Sequence, residues 1–184
     1  MDKKTLRNFL LEKRKEIPLE KKVILDAEIS KKIIESDYFK NASQVLVFSS
    51  TKNEFDTSRI IEECKLQEKT LFFPLCVDFD GHMEFFKVNS PDDLALGMYN
   101  ILEPKSYCDK YIEKENDLVI VPCLSADKNK NRIGYGKGYY DRFLKDFNGV
   151  SVSVCYDEML TETIPTDKFD MKINIIVTDK EVIL

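Results

Sequence analysis

Residues 118–154, LVIVPCLSADKNKNRIGYGKGYYDRFLKDFNGVSVSV, decide the fold. The segment opens with an apolar, β-branched run at 118–121, which Pro122 closes, and it ends with a second predicted strand at 150–154. Between them lie a glycine-rich loop and a helical pattern at 138–147. Apolar strands that alternate with helices are typical of a parallel sheet covered on both faces. The segment therefore predicts one strand, loop, helix and strand unit of an α/β protein.

The rest of the chain repeats this alternation. Short apolar runs predict further strands at 44–48, 70–75, 83–87 and 173–177. The Asp80-Gly81 turn joins two of them as a hairpin. Helical periodicity predicts helices at 6–17, 23–38 and 59–66. We therefore predict a single domain of residues 1–184, an α/β fold with a mainly parallel, Rossmann-like sheet and two N-terminal helices.

Composition and charge argue against several classes of protein. The 184 residues are 43% hydrophobic and 33% charged, which suits one domain with a substantial core. The formal charge of −5 argues against a nucleic-acid or membrane-surface partner, because such proteins carry a basic excess. The five cysteines form no CxxC pair, so neither a zinc site nor a disulfide framework is predicted. The charged N-terminus and the lack of a run of ~18–20 apolar residues favour a cytoplasmic protein.

The predicted chemistry is concentrated between Asp127 and Asp141, at the carboxyl end of one strand and the start of a helix. Open α/β sheets place ligands there. Glycines at 134, 136 and 138 leave backbone N–H groups free to close on phosphate oxygens, and the helix start adds a positive end. The GxGxG spacing matches neither the dinucleotide motif GxGxxG nor the P-loop. Nearby cations favour an anionic ligand: Lys128, Lys130, Arg132 and Lys137.

Four segments of the chain resemble one enzyme family. RIGYGKGYYD at 132–141 resembles the RxGxGxGYYD signature of the 5-formyltetrahydrofolate cyclo-ligases, and this run is highly specific. KKTLR at 3–7 is similar to the family's KxxLR element, NEFDT at 53–57 to its E-[VI]-[DE]-T element, and FDMK at 169–172 to its D-x-K element. The segments occur in the family's order across nearly the whole chain. The resemblance implies a three-layer αβα sandwich.

The resemblance also implies a role for individual residues. ATP would be bound by Lys3, Lys4, Arg7, Arg132, Ile133, Gly134, Tyr135, Gly136, Lys137, Gly138, Tyr139 and Tyr140. The folate substrate would be bound by Ser49, Glu54, Met83, Tyr139 and Tyr140. Magnesium would be held by Asp141 and Asp170, which supply the hard oxygens that this ion prefers. The residues expected to act in catalysis are Arg132, Lys137 and Tyr140.

The implied reaction explains why such residues are needed. A formamide oxygen is a poor leaving group, so attack of N10 on the N5-formyl carbon needs that oxygen to be phosphorylated first. ATP supplies the phosphoryl group, and the products are 5,10-methenyltetrahydrofolate, ADP and phosphate. Positioning and charge neutralisation are sufficient for this chemistry, and no protein nucleophile is required. We expect a monomer whose partner is the small-molecule substrate 5-formyltetrahydrofolate, with or without a polyglutamate tail.

Two departures from the family pattern put local geometry in question. Ser125 and Ala126 stand where relatives usually have glycine and a larger apolar residue, and Asn174 stands where Asp is common. Several assignments also have plainer alternatives. Lys3 and Arg7 lie one helical turn apart, as ordinary surface pairs do, and the tandem tyrosines at 139 and 140 could be core residues.

Two other classes of function are compatible with the residues alone. A different ATP-dependent phosphotransferase could use the same loop. An RNA-binding module could use the basic and aromatic residues at 137–143 for base stacking, although the negative net charge argues against it. Formation of the methenyltetrahydrofolate chromophore separates the cyclo-ligase from both.

Overall fold

The structure of the protein, a computed structural model, describes residues 2–184. The α-helices of this part of the chain are α1 (Lys3–Lys15), α2 (Leu19–Ile34), α3 (Asp37–Asn41), α4 (Ser58–Leu66) and α5 (Tyr139–Leu144). Its strands are β1 (Gln44–Leu46), β2 (Thr70–Cys76), β3 (Met83–Lys87), β4 (Leu94–Leu96), β5 (Leu102–Pro104), β6 (Leu118–Pro122), β7 (Ser125–Ala126), β8 (Arg132–Ile133), β9 (Val150–Val154), β10 (Ile175–Val177) and β11 (Val182–Ile183).

Seven strands form the central sheet, in the order β11-β10-β9-β6-β1-β2-β3. The five inner strands are parallel to one another, and an antiparallel strand closes each edge. Since the parallel strands all end at one edge of the sheet, the loops after β1 and β6 lie side by side. The predicted mainly parallel sheet is confirmed, and the short hairpins β4–β5 and β7–β8 stand apart from it.

Two apolar layers cover the two faces of the sheet. Side chains alternate along each inner strand, so that Val45 and Ile120 face one layer while Leu46 and Val121 face the other. The first layer is contributed by α1 to α4, and the second by α5 and the loops around it. The three-layer αβα arrangement is therefore confirmed, with both N-terminal helices on the same face.

Several predicted elements have different bounds in the structure. The strand predicted at 44–48 ends at Leu46, and the helix predicted at 23–38 is replaced by α2 and α3. The helix predicted at 138–147 ends at Leu144, because the Asp146 N–H turns back to the Phe143 carbonyl at 3.3 Å and tightens the last turn. The strand predicted to start at 173 starts at Ile175. The Asn174 side chain instead accepts hydrogen bonds from the N–H and hydroxyl of Ser151, at 2.8 and 2.7 Å. Asn174 thus fits its position as an acceptor.

No helix within residues 2–184 is long and apolar enough to cross a membrane.

Candidate active site

A buried carboxylate shapes the turn that precedes the glycine-rich loop. Asp127 is fully buried, and its Oδ1 accepts from the N–H groups of Asn129 and Asn131 at 2.9 and 3.0 Å. Its Oδ2 accepts from the Ile164 N–H at 2.9 Å. These bonds close the β7–β8 hairpin and attach it to a distant segment. The unusual Ser125-Ala126 pair forms β7 itself and pairs with Ile133 and Arg132, so this departure is compatible with an ordered hairpin.

The glycine-rich loop packs against a cation from α1. Gly136 and Gly138 have φ values of +95° and +75°, a conformation that favours glycine. The Arg7 Nε donates to the Gly134 carbonyl at 2.9 Å. A Cβ at Gly136 would lie 2.7 Å from the Arg7 guanidinium carbon, so the missing side chain allows this close approach. The structure thereby brings the KxxLR and GxGxG segments together.

The start of α1 contacts the segment that carries Asp170. Lys3 Nζ donates to Asp167 Oδ2 at 2.7 Å and also to Asp170 Oδ2. Burial lowers the pKa of Lys3, but its hydrogen bonds with the two carboxylates raise it, and the net shift is upward. Lys3 is therefore a firmly held cation at this position, whereas Lys4 is exposed.

Arg132 and Asp141 form a buried ion pair beside the same segment. Arg132 Nη2 donates to Asp141 Oδ1 at 2.9 Å, and only 5% of the arginine side chain is exposed. The Met171 N–H donates to the same carboxylate oxygen at 3.1 Å, which brings the 170–171 segment against α5. The two carboxylates predicted to hold magnesium thus lie on neighbouring segments, and each is paired with a cation.

These carboxylates fit a magnesium ion that phosphates help to bind, and they do not form a complete cage. Within residues 2–184, no cluster of three His, Cys, Asp or Glu side chains could hold a metal ion. Mg²⁺ usually takes one or two protein carboxylates together with water and phosphate oxygens. Asp141 and Asp170 match that donor set.

Two buried polar atoms lack partners next to the ion pair. The Tyr140 hydroxyl and the Arg132 Nε have no hydrogen-bond partner among residues 2–184. The arginine lies 6.0 Å from the centroid of the tyrosine ring. Burial raises the pKa of Tyr140, the charge of Glu54 raises it further, and Arg132 opposes the shift. The hydroxyl therefore stays protonated at neutral pH. Buried polar groups are rarely left unpaired, and these two lie at the ends of the glycine-rich loop, where a bound ligand could pair with them.

Glu54 extends from the loop after β1 towards the tyrosines of the glycine-rich loop. It is 7% exposed, and its Oε2 accepts from the N–H and hydroxyl of Thr51 at 2.8 and 2.7 Å. Burial, together with the charge and hydrogen bonding of Glu54, raises the pKa of Tyr135. The charge of Glu54 thus acts on Tyr135 and Tyr140, as expected for neighbouring loops at the carboxyl edge of a parallel sheet.

Tyr139 contacts Tyr99, a residue that the sequence analysis did not identify. Its hydroxyl donates to the Asp78 carbonyl at 2.7 Å and lies 3.1 Å from the hydroxyl of Tyr99. Tyr99 sits at the tip of the β4–β5 hairpin with φ +58°, and its ring also contacts Phe79 at a centroid distance of 6.1 Å. A tyrosine in an unpredicted hairpin gives no local signal, and only the fold brings it to Tyr139.

The remaining predicted residues lie at the margins of this site. Met83 packs in the second apolar layer, the one that Tyr140 also joins. Ile133 is buried in the first layer, and the side chain of Lys137 is exposed. Ser49 donates to the Leu102 carbonyl at 2.7 Å, on the side of the hairpin. The structure thus gathers Arg132, Tyr140, Glu54 and Asp141 and leaves Lys137 and Ser49 outside that group.

Comparisons with known proteins agree with one another. The family model described as the 5-formyltetrahydrofolate cyclo-ligase family matches residues 1–179. The mouse 5-formyltetrahydrofolate cyclo-ligase is 27% identical, with 94% of this chain and 91% of the mouse protein covered. A fission yeast protein named as a probable enzyme of the same kind is 29% identical, with 87% and 88% covered. The solved structure of Aquifex aeolicus 5,10-methenyltetrahydrofolate synthetase is 31% identical with a TM-score of 0.86, covering 99% of this chain and 92% of the other.

Proposed function

The chain belongs to the 5-formyltetrahydrofolate cyclo-ligase family and is an enzyme of the ligase class, and we propose that it cyclises 5-formyltetrahydrofolate to 5,10-methenyltetrahydrofolate with ATP. The observation that carries the proposal is the pair of unpartnered buried groups on Arg132 and Tyr140. They lie on Arg132 at the start of the glycine-rich loop and on Tyr140 at its end, where one ligand phosphate and one neutral ligand oxygen would both find donors. The monomeric state and the cytoplasmic location stay predictions.

ATP would bind over the glycine-rich loop. The loop offers backbone N–H groups without Cβ atoms in the way, and Arg7 already lies against it. Lys3, Lys4 and Lys137 would add charge around the phosphates. Cations and oriented N–H groups are the parts that phosphoryl transfer requires, because its transition state spreads negative charge over the transferred group.

The folate would lie between Glu54 and the tandem tyrosines. The Glu54 carboxylate can accept from the N–H groups of a pterin ring, and Tyr140 can donate to the formyl oxygen. Tyr139 offers a ring face for stacking, while Met83 and Ser49 would line the edges of the site. This placement sets the formyl oxygen beside the phosphate loop, as an in-line transfer needs.

The chemistry then proceeds in two steps. The formyl oxygen attacks the γ-phosphorus of ATP, and ADP leaves. N10 next attacks the formyl carbon, loses its proton and closes the ring, and the formyl oxygen departs as part of the phosphate. Arg132 and Lys137 would neutralise charge on the transferred group, and Tyr140 would position the formyl oxygen. No covalent bond to the protein is formed.

Asp141 and Asp170 would hold Mg²⁺ together with the phosphates of ATP. The bound ion would supply charge neutralisation at those phosphates. In the structure Arg132 and Lys3 pair with these carboxylates, so both cations lie where they would also contact the nucleotide phosphates.

A spectrophotometric assay tests the proposal. The full chain, mixed with 5-formyltetrahydrofolate, ATP and Mg²⁺, is expected to produce the near-ultraviolet absorbance of methenyltetrahydrofolate, and omission of ATP should abolish it. Arg132→Met should lower the rate by about 100-fold or more, the scale of removing a donor to a charged transition state. Arg59→Met, an exposed change on α4, is the matched control and should leave the rate unchanged. A chain that consumes ATP but forms no chromophore would refute the cyclo-ligase proposal.

A further inference from the structure

A cavity of about 250 Å³ lies between α4, β2 and the β4–β5 hairpin. Leu71, Phe73 and Leu94 contribute to its apolar floor, and the serine hydroxyls at 49 and 50 contribute to its polar rim. Of the residues that line this α4 cavity, the proposed folate site uses only Ser49. It is smaller than the roughly 300–1,000 Å³ of a site for a whole drug-sized ligand, so it suits part of a larger molecule.

The α4 cavity lies beside the loop that holds Glu54. Ser50, on the rim, is the chain neighbour of Thr51, whose N–H and hydroxyl hold the Glu54 carboxylate. Consecutive Cα atoms lie about 3.8 Å apart, so the rim begins within a few ångströms of the residue that fixes Glu54. A ligand that contacts Glu54 and extends along this loop would meet the rim of the cavity at Ser50.

The charge of the α4 cavity favours an acidic occupant. Among the described residues that line it, Lys65 alone carries a charge. Lys65 is exposed in the last turn of α4 and forms no ion pair with the other residues of 2–184. An apolar floor with a single cation at its mouth is complementary to an aromatic ring that carries a carboxylate.

We propose that the α4 cavity binds the aminobenzoyl-glutamate end of the folate substrate, with the ring on the apolar floor and a glutamate carboxylate at Lys65. The inference rests on the proposed function, since it extends the same ligand from Glu54 across the loop. It makes Lys65 a specificity residue for the acidic tail, and further glutamates of a polyglutamate tail pass the same cation as they leave the protein.

Steady-state kinetics of Lys65→Met test the ion pair. With 5-formyltetrahydrofolate, KM should rise about three- to fivefold with little change in kcat, the range of an exposed ion pair. Raised salt should produce the same rise in the unmodified chain. Lys65→Arg should restore KM, and Lys145→Met, an exposed lysine on the other face, is the control. An unchanged KM in Lys65→Met would overturn the proposal.

A second variant and a fragment separate this inference from the proposed function. Leu94→Trp, which fills the α4 cavity, should weaken calorimetric binding of p-aminobenzoylglutamate by tenfold or more while the pterin fragment 5-formyltetrahydropterin binds as before. If the chain makes methenyltetrahydrofolate but neither Lys65→Met nor Leu94→Trp alters binding of the tail, the cavity assignment is wrong and the cyclo-ligase proposal stands. If the fragment binds in a Lys65-dependent way but no chromophore forms, the cyclo-ligase proposal fails alone.

Discussion

Individual residues of the site lack either a hydrogen-bond partner or a Cβ atom. The Tyr140 hydroxyl and the Arg132 Nε are buried without partners, and Gly136 lacks the Cβ that would contact Arg7. An unpaired buried polar group is costly in the isolated protein and becomes favourable when a ligand supplies the missing contact, whereas the missing Cβ of Gly136 leaves room for a close approach. Substitutions at these positions are therefore expected to change the free energy of unfolding and the activity by different amounts.

Replacing the tyrosine hydroxyl should lower activity without lowering stability. Tyr140→Phe removes an unpaired buried group, so the free energy of unfolding should stay within about 0.5 kcal/mol or rise, while kcat falls. Tyr156→Phe is the contrasting variant, because that hydroxyl donates to Asp26 at 2.7 Å. It should cost about 1–3 kcal/mol of unfolding free energy and leave kcat of the folded protein unchanged. Denaturant titration gives the free energy of unfolding of both variants, and steady-state kinetics give kcat. A large loss of unfolding free energy in Tyr140→Phe would contradict a ligand-facing role for the Tyr140 hydroxyl.

Two glycines of the same loop should respond differently to alanine. Gly136→Ala places a Cβ on a residue with φ +95° and against the Arg7 guanidinium, so it should cost about 1–2 kcal/mol of unfolding free energy and weaken ATP binding. Gly134→Ala would meet only Arg132 Nη1 at 3.4 Å, an ordinary contact, and should cost under about 0.5 kcal/mol. Equal losses measured by denaturant unfolding would show that the loop conformation differs from this structure.

The sequence predicted the loop residues but not their partners. Glycine spacing and clustered cations are local signals, so residues 132–141 could be identified directly. The bond from Lys3 to Asp170 joins residues 167 positions apart, and the Tyr99 contact with Tyr139 depends on an unpredicted hairpin. Such pairs are created by the fold and leave no pattern in a single chain.

Among the elements, α1 contributes most to the site. Besides Lys3 and Arg7, it carries Arg14, whose Nη2 donates to the carbonyls of Cys123 and Leu124 at 2.7 and 3.0 Å. These bonds hold α1 against the segment between β6 and β7. The helix thus reaches the turn before the loop, the loop itself and the Asp170 segment.

Removing the middle cation of α1 should weaken nucleotide binding selectively. Arg7→Ala should cost more than ~1 kcal/mol of ATP binding, the scale of a charge-assisted hydrogen bond. Affinity for 5-formyltetrahydrofolate in the absence of nucleotide should stay within about twofold, under ~0.5 kcal/mol. Lys15→Ala, an exposed change on the same helix, is the control. Calorimetric titrations that show lost folate affinity in place of lost ATP affinity would invert the assignment.

Glu54→Gln should have the opposite effect. The amide keeps the size of the side chain but loses the charge that faces Tyr135 and Tyr140. Folate affinity and turnover should fall, while ATP affinity without folate should change by less than about twofold. Lost ATP affinity in this variant would place Glu54 at the nucleotide.

Long elements could be predicted from sequence, and very short ones could not. The parallel strands are encoded by local apolar runs, because burial on both faces requires them. Strands β7 and β8 have two residues each and exist only through pairing with one another. The end of α5 and the start of β10 likewise depend on bonds to other residues, those of Asp146 and Asn174.

At the scale of the whole molecule, the parallel sheet gathers distant segments at one edge. Residues from the first helix, the loop after β1, the glycine-rich loop and the 167–171 segment meet there. The protein carries a net charge of −5, yet these segments bring Lys3, Arg7 and Arg132 to a single place. The fold thereby gathers three cations in an acidic protein, two of them paired with carboxylates, and under the proposed function they would meet the nucleotide phosphates.

The central claim is that this site transfers phosphate from ATP to the formyl oxygen, and an isotope measurement tests it most directly. 5-Formyltetrahydrofolate labelled with heavy oxygen in the formyl group is converted by the full chain with ATP and Mg²⁺, and the released phosphate is analysed by mass spectrometry. Each released phosphate is expected to carry one heavy oxygen from the substrate. Unlabelled phosphate, with the heavy oxygen released into water, would contradict the claim, because ATP would then be hydrolysed without phosphorylating the formyl group.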